Sequence, residues 1–190
     1  MRYLIYLYLF ILINTFYPSH LVAKETWILD QNLSSINFEL PVLLAKNVQG
    51  KFKEISGVIE IDIENKENNK AVFFVNLDSV EMNYKNFKSL LLGKIFFDTQ
   101  NYPKAVVDTK KFTYDNENKI TLKVELIIKG ISSNVPLELE IIQLAKELVQ
   151  IKGELIFSRN EFNIGTGRWA STTILKDNVK IKTNFFLYKS

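Results

Sequence analysis

The chain has 190 residues with 24 basic and 21 acidic side chains, which gives a formal net charge of +3. A charge so close to balance offers no electrostatic reason to expect nucleic acid as a partner. There is no cysteine and a single histidine, His20, which excludes Ser-His-Asp and Cys-His catalysis, and zinc, haem or iron–sulfur sites held by His or Cys, from the rest of the chain.

The N-terminal segment has the layout of a secretory signal. Arg2 precedes the apolar run LIYLYLFILI, and residues 1–23 end in the small residue Ala23. A basic start, an apolar core of about 7–15 residues and a small residue before the cleavage point are typical of such signals, and the run is shorter than the roughly 20 residues of a membrane-spanning helix. We therefore predict a signal peptide over residues 1–23, export to the periplasm and no stable membrane span after its removal. An uncleaved anchor is the alternative.

Residues 24–190 are expected to form one domain dominated by strands. Apolar and polar side chains alternate along several segments, which is the period of a strand with one buried face. In chain order these segments are SSINFEL, GVIEIDIEN (Ile59, Ile61 and Ile63 on the apolar face), KITLKVELIIKG, VPLELEI, LVQIKGELIF and DNVKIKTNFFLYK. Polar clusters predict turns at Asn65–Asn69, Asp115–Asn118, Gly130–Asn134 and Arg159–Asn163.

About eight strands with little helix between them favour an all-β, antiparallel barrel. A closed barrel leaves no unpaired strand edge, and eight strands enclose enough room for side chains or for one slim ligand. Alternation alone leaves two other arrangements open. One is a β-sandwich, and the other is an outer-membrane barrel with its apolar face outward.

One interval has the period of a helix. In NYKNFKSLLLG, Phe87, Leu90 and Leu91 recur at i, i+3 and i+4, and Gly93 is a suitable residue to follow the last turn. We predict a short amphipathic helix that caps one mouth of the barrel. Phe97 and Tyr102, with the neighbouring Phe96, are expected to hold it there, and Pro103 suits the start of the next strand.

Asp98, in the stretch FFDTQNYPKAVV, is the acidic residue that most invites a catalytic interpretation. A catalytic carboxylate usually needs a partner acid, a metal or a positioned base, and only Asp108 is near in sequence. We interpret Asp98 as a corner residue and expect no catalytic residue, no metal site and no required cofactor. Trp169, in the loop IGTGRWASTT, either covers the mouth of the barrel or pins that loop.

A series of short motifs follows in a characteristic order. They are W-x-x-D (Trp27, Asp30), S-x-I-x-F (Ser34, Ile36, Phe38), V-x-G-x-F (Val48, Gly50, Phe52), G-x-I (Gly57, Ile59), Ser79 after a strand, F-F-D-x-x-x-Y-P-x-A (Phe96–Ala105) and F-x-R-x-x-F-x-I-G (Phe157, Arg159, Phe162, Ile164, Gly165). Together they resemble the YceI-like family over essentially all of residues 24–190.

The resemblance implies a secreted, lipocalin-like barrel that binds a long polyisoprenoid, such as a quinone tail, and that is not an enzyme. We therefore expect a periplasmic carrier whose partner is an isoprenoid lipid and whose oligomeric state is open. The expected ligand-binding wall residues are Phe38, Leu40, Phe87, Leu91, Phe97, Leu126, Phe157 and Trp169. The alternative is a secreted stress-response or structural module with a filled core and no ligand.

Overall fold

The computed structural model describes residues 24–62 and 65–190. The predicted signal peptide and Ile63 lie outside the described residues. The described part contains eleven strands, one short α-helix and several single 3₁₀ turns. The strands are β1 (Lys24–Leu29), β2 (Ser35–Leu40), β3 (Val48–Phe52), β4 (Ile55–Asp62), β5 (Asn69–Asn76), β6 (Val80–Met82), β7 (Lys104–Phe112), β8 (Lys119–Ile128), β9 (Ile131–Ala145), β10 (Leu148–Ser158) and β11 (Asn178–Lys189).

Eight of these strands close into an antiparallel barrel. The ring runs β1-β4-β5-β7-β8-β9-β10-β11 and returns to β1, because the end of β11 pairs with β1 at Leu187↔Leu29 and Trp27↔Lys189. The closure confirms the predicted all-β barrel of eight strands and excludes the β-sandwich. All eight strands lie within residues 24–190, so this part of the chain contains the whole ring.

The remaining three strands extend one end of the barrel. The first half of β11 pairs with β2, β2 pairs with β3, and β3 pairs with β6. Consequently β1 and β2, β3 and β4, and β5 and β6 are successive halves of three long, interrupted strands. Among the described residues β6 has no second neighbour in the sheet, although β5, the strand that β6 continues, pairs with β7, so a seam is left beside β6 at this end.

Polar side chains satisfy the backbone where the long strands are interrupted. The Asp30 carboxylate accepts the amides of Asn32 and Leu33, at 2.9 and 3.1 Å, in the turn between β1 and β2. The Ser34 hydroxyl accepts the Phe186 amide of β11 at 3.0 Å. Three motif residues therefore have architectural roles, because Ser79 likewise accepts two backbone amides beside the β3–β4 break.

The helix packs against β6 at this seam. A 3₁₀ turn at Lys85–Phe87 leads into α1 (Lys88–Leu92), and the loop that follows returns to β7. The amides of Phe97 and Thr99 donate to carbonyl groups of Leu91 and Leu92, at 3.0 Å each, which fixes the loop against α1. The predicted single short helix is confirmed, although half of the predicted span is 3₁₀ and Gly93 has an extended rather than a left-handed conformation.

Apolar side chains point into the barrel and charged ones point outward. Inward positions such as Leu122, Val124 and Leu126 are buried, and outward lysines and glutamates pair across neighbouring strands, as in Lys180–Glu154 at 2.7 Å. This orientation is the reverse of what an outer-membrane barrel requires. Within residues 24–62 and 65–190, no helix is long and apolar enough to cross a membrane.

Two local predictions were wrong. The predicted turn at Gly130–Asn134 is confined to Lys129 and Gly130, because β9 begins at Ile131 and pairs with β8 from its first residue. Asp62 alternates with Ile61 and Ile63 and is therefore expected on the solvated face, but it is buried, and its carboxylate accepts the Asn65 amide and the Asn68 side-chain amide, both at 2.9 Å, in the turn after β4.

Candidate functional site

A cavity of about 570 Å³ runs through the barrel from one end to the other. Its lining includes Glu25, Asn116 and Gln143 at one end and Ala45 and Ile174 at the opposite end. The longest strand of the closing pair, β11, has 12 residues, so at about 3.3 Å per residue and a tilt of about 40° it spans roughly 30 Å of the axis. Distributed over such a length, the volume describes a narrow channel rather than a round chamber.

The channel wall is aliphatic and aromatic along most of its length. It is contributed by inward side chains of every strand of the ring, for example Ile59, Phe73, Val107, Leu139 and Phe185. Phe73 and Phe185 pack with ring centroids 5.0 Å apart. A ligand in this channel would bury its apolar surface against the wall and would find almost no hydrogen-bonding groups.

Two motif glycines make room for aromatic wall residues. A Cβ atom on Gly50 would lie 2.3 Å from the Phe38 ring, and one on Gly57 would lie 2.0 Å from the Phe73 ring. Both distances are well inside van der Waals contact. The V-x-G-x-F and G-x-I motifs therefore let large rings lie flat against neighbouring strands.

All eight residues that the sequence predicted for the site line this one channel. They are Phe38 and Leu40 on β2, Phe87 in the 3₁₀ turn, Leu91 on α1, Phe97 after it, Leu126 on β8, Phe157 on β10 and Trp169 in the loop before β11. Phe87 differs from the expectation of a packed helix face, since 51% of it is exposed at the channel mouth. That these side chains contact a ligand remains a prediction.

Three segments form the end of the channel that carries α1, which we call the apolar mouth: residues 41–47, 83–92 and 164–176. They are joined by hydrogen bonds. The Leu43 amide donates to the Ile174 carbonyl at 2.9 Å, and the Lys176 amide donates to the Pro41 carbonyl at 3.1 Å. The Tyr84 hydroxyl donates to the carbonyl of residue 46 at 2.7 Å.

Arg159, the arginine of the last motif, organises the apolar mouth. It is fully buried, and its guanidinium donates to the side-chain oxygen of Asn160 and to five backbone carbonyls. These carbonyls belong to Ile164, Gly165, Ser171, Leu175 and Lys176, at 2.9–3.4 Å. Burial lowers the pKa of Arg159 and Asp177 partly restores it, but an arginine stays charged. The guanidinium is thus fully engaged by loop carbonyls and is not available to bind a ligand.

Trp169 and Asp98 are both held by local contacts. The Trp169 ring lies 5.7 Å from the Phe96 ring, and the Arg168 guanidinium lies 5.3 Å from the Trp169 ring centroid. Trp169 therefore pins the loop and also lines the channel. Asp98 has a left-handed conformation, its carbonyl accepts the amides of Asn101 and Tyr102, and its carboxylate accepts the Asn101 side chain. These are the contacts of a corner.

None of the site residues predicted from the sequence lies at the opposite end of the channel, which we call the polar mouth. Glu25, Tyr114, Asn116 and Gln143 line it, and Glu25 forms an ion pair with Lys189. Burial raises the pKa of Tyr114, so its hydroxyl remains a hydrogen-bond donor at neutral pH. The sequence signal was present but ambiguous, because Asn116 lies in the cluster Asp115–Asn118 that predicts only a turn.

A scan of protein families matches the YceI-like domain over residues 27–187, from β1 to β11. The chain belongs to the YceI-like family. This confirms the resemblance drawn from the motifs, and the match covers the apolar mouth and all of the polar-mouth lining except Glu25. No curated protein matches the chain significantly.

Solved structures of YceI-like and related proteins share the fold. BcnA of Burkholderia cenocepacia is 25% identical with a TM-score of 0.75, over 83% of this chain and 98% of that one. The YCEI protein of Campylobacter jejuni is 26% identical with a TM-score of 0.64, over 79% and 88%. A polyisoprenoid binding domain from Saccharophagus degradans, implicated in plant cell wall breakdown, is 15% identical with a TM-score of 0.67, over 86% and 98%. This last likeness concerns the fold alone.

Proposed function

We propose that this YceI-like chain is a periplasmic binding protein that holds a long isoprenoid lipid, quinone-like or polyprenyl, inside its barrel. The observation that carries the proposal is the open, apolar channel of about 570 Å³. Small-molecule sites occupy about 300–1,000 Å³ and are mostly apolar, so the volume suits one ligand. The description of the Saccharophagus degradans domain names a ligand of the same class for that protein.

The shape of the channel favours a slim, flexible chain over a compact ligand. Each methylene group transferred from water to such a wall contributes about 0.8 kcal/mol, so a long hydrocarbon tail gains affinity without any polar contact. The Tyr114 hydroxyl and the amides of Asn116 and Gln143, at the polar mouth, supply hydrogen bonds for a head group that reaches that end.

We also propose that the chain carries its ligand rather than transforming it. Within the described ranges no group of three His, Cys, Asp or Glu side chains is arranged to hold a metal ion. The channel wall offers carbon surface instead of a nucleophile beside a base. The periplasmic location rests on the secretory pattern of residues 1–23. The open channel supports a ligand-binding barrel over the alternative of a filled core with no ligand.

Native mass spectrometry on residues 24–190, with and without an added long-chain isoprenoid quinone, tests the proposal. We expect a one-to-one adduct with the wild-type chain. The substitution Ala71→Phe places a ring in the channel from the buried wall of β5 and is expected to abolish the adduct.

The matched control is Thr121→Phe, which adds the same ring at an exposed outward position of β8. It should leave the adduct intact. If the wild-type chain forms no adduct, or if Ala71→Phe binds as well as Thr121→Phe, the channel does not hold the lipid.

A further inference from the structure

The apolar mouth exposes an unusual amount of carbon surface. Leu44 is 98% exposed, Ile174 is 62% exposed and Phe87 is 51% exposed, and Leu43 beside them is also exposed. Leu44 and Ile174 are the two most exposed large apolar side chains of residues 24–62 and 65–190. Scattered apolar side chains need no explanation, but a group of them around one opening marks an interaction site.

Leu44 combines this exposure with an unfavourable backbone. Its φ is 56°, in the left-handed region that residues with a Cβ adopt rarely and at some energetic cost. Two hydrogen bonds hold the turn on either side of Leu44. The Leu43 amide donates to the Ile174 carbonyl, and the Tyr84 hydroxyl donates to the carbonyl of residue 46. Leucine normally avoids both water and a positive φ, yet Leu44 is held in both conditions. Such a side chain is suited to insertion into an apolar phase.

The three segments of the apolar mouth carry charge of one sign, and the acidic side chains nearest to them in sequence, Glu39 and Asp177, lie just outside their bounds. Residues 41–47, 83–92 and 164–176 contain five basic side chains and no acidic one. The five are Lys46, Lys85, Lys88, Arg168 and Lys176, and none of them forms an ion pair in the described ranges. By contrast, the loops at the polar mouth mix both signs, as in Glu67 beside Lys66 and Glu147 beside Lys146.

We propose that the apolar mouth docks on the surface of an anionic phospholipid bilayer. Leu43 and Leu44, together with Phe87 and Ile174, enter the boundary between head groups and acyl chains, and the ring of basic side chains contacts the anionic head groups. Apolar side chains flanked by Lys and Arg are the combination that binds such an interface. The channel then opens directly toward the acyl chains, because Phe87 and Ile174 also line it.

Docking is independent of the proposed ligand, although the two would act together. A lipid leaving the bilayer through the apolar mouth would not cross water. Vesicle binding is therefore measured on ligand-free protein, and its failure would leave the lipid adduct of the mass spectrometry experiment unaffected. The converse also holds, since a channel that binds no isoprenoid still presents the same surface.

Co-sedimentation of residues 24–190 with extruded vesicles tests the proposal. The chain without residues 1–23 is used because their apolar run would bind vesicles by itself. We expect binding to vesicles of equal parts phosphatidylcholine and phosphatidylglycerol that exceeds binding to phosphatidylcholine alone. Leu44→Ser should weaken binding about tenfold, and Lys46→Glu with Lys85→Glu should weaken it at least about 25-fold.

The matched controls lie at the other end of the barrel. Leu144→Ser removes a leucine that is 48% exposed near the end of β9, and Lys146→Glu reverses a charge in the next turn. Both should bind like the wild type. Equal losses in these controls, or no binding of the wild type to anionic vesicles, would overturn the proposal. A Leu44-dependent dimer without vesicles would overturn it as well, since the patch would then serve a second copy of the chain.

Discussion

At the scale of single residues, Arg159 is the side chain whose replacement would remove the most hydrogen bonds. Its five N–H donors are all directed at oxygen atoms of the protein, and most of these are carbonyls of the loop before β11. Without the guanidinium, these carbonyls would be buried with no donor. Arg168, nine residues later in the sequence, is exposed and stacks on Trp169 instead.

We expect Arg159→Met to lower the free energy of unfolding by at least about 3 kcal/mol, because buried acceptors of charge-assisted hydrogen bonds lose their donor. Arg168→Met should change it by less than about 0.5 kcal/mol, as is usual for exposed positions. Urea unfolding monitored by tryptophan fluorescence measures both. Similar losses in the two variants would mean that Arg159 does not hold the loop.

Substitutions at Gly165 and Gly167 distinguish two effects on stability, that of the backbone conformation and that of steric contact. Both have positive φ, +81° and +65°, but a Cβ on Gly165 would lie 2.9 Å from the Arg159 guanidinium, while one on Gly167 would meet nothing within 4 Å. Each substitution to Ala costs roughly 1 kcal/mol for the left-handed backbone.

We therefore expect Gly165→Ala to be more destabilising than Gly167→Ala by about 1–3 kcal/mol, the usual cost of overpacking. The same urea titration measures the difference. Equal effects would contradict a close contact between Gly165 and Arg159.

At the scale of elements, the interruptions of the long strands depend on few hydrogen bonds. Ser34 is buried at the break between β1 and β2, where β11 exchanges one partner strand for the other. Its hydroxyl accepts the Phe186 amide, which would otherwise have no acceptor from the sheet at this point.

Ser34→Ala is expected to lower the free energy of unfolding by about 1–3 kcal/mol, because the Phe186 amide is left unsatisfied. Ser56→Ala, at an exposed position on β4, is the control and should be nearly neutral. Amide hydrogen exchange at Phe186 gives a second readout, since its protection should fall in Ser34→Ala only.

The sequence predicts some strands better than others, for physical reasons. In β8 four of the five outward positions are Lys, Thr or Glu, so alternation is visible. In β5 the outward positions include Val72 and Phe74, so the inward series Ala71, Phe73 and Val75 has no polar contrast. The start of β9 was predicted as a turn because Ser132 and Ser133, which resemble loop residues, belong to the strand.

The four wall positions on strands share one channel because inward faces of a closed barrel converge, which periodicity predicts; they are Phe38, Leu40, Leu126 and Phe157. The other four, Phe87, Leu91, Phe97 and Trp169, lie in α1 and in loops, where their meeting depends on tertiary packing. The polar mouth depends on which loops meet after the ring closes, as for Tyr114 and Gln143, and no local pattern specifies that.

At the scale of the whole molecule, the ring of eight strands surrounds a channel that side chains do not fill. Empty apolar space forfeits dispersion contacts, so the unliganded protein gives up part of its packing energy. A ligand that fills the channel in the folded state alone stabilises that state by mass action.

We expect a long-tailed quinone in excess to raise the free energy of unfolding by about 2.7 kcal/mol at a concentration of one hundred times Kd. A quinone with the same head group and a much shorter tail should give a smaller increase at the same concentration, because it covers less of the wall. Thermal unfolding with each compound measures this. Equal shifts would indicate a site for the head group alone.

The open ladder beside β6 gives the apolar mouth a freedom to widen that paired strands lack. Where neighbouring strands are paired, the circumference of the barrel can grow only if a ladder breaks. Beside β6 no ladder closes the circle, and α1 packs there instead, so a small outward movement of that segment would enlarge the opening with every ladder intact. The apolar mouth is thus expected to act as an expandable rim that admits tails of different thickness.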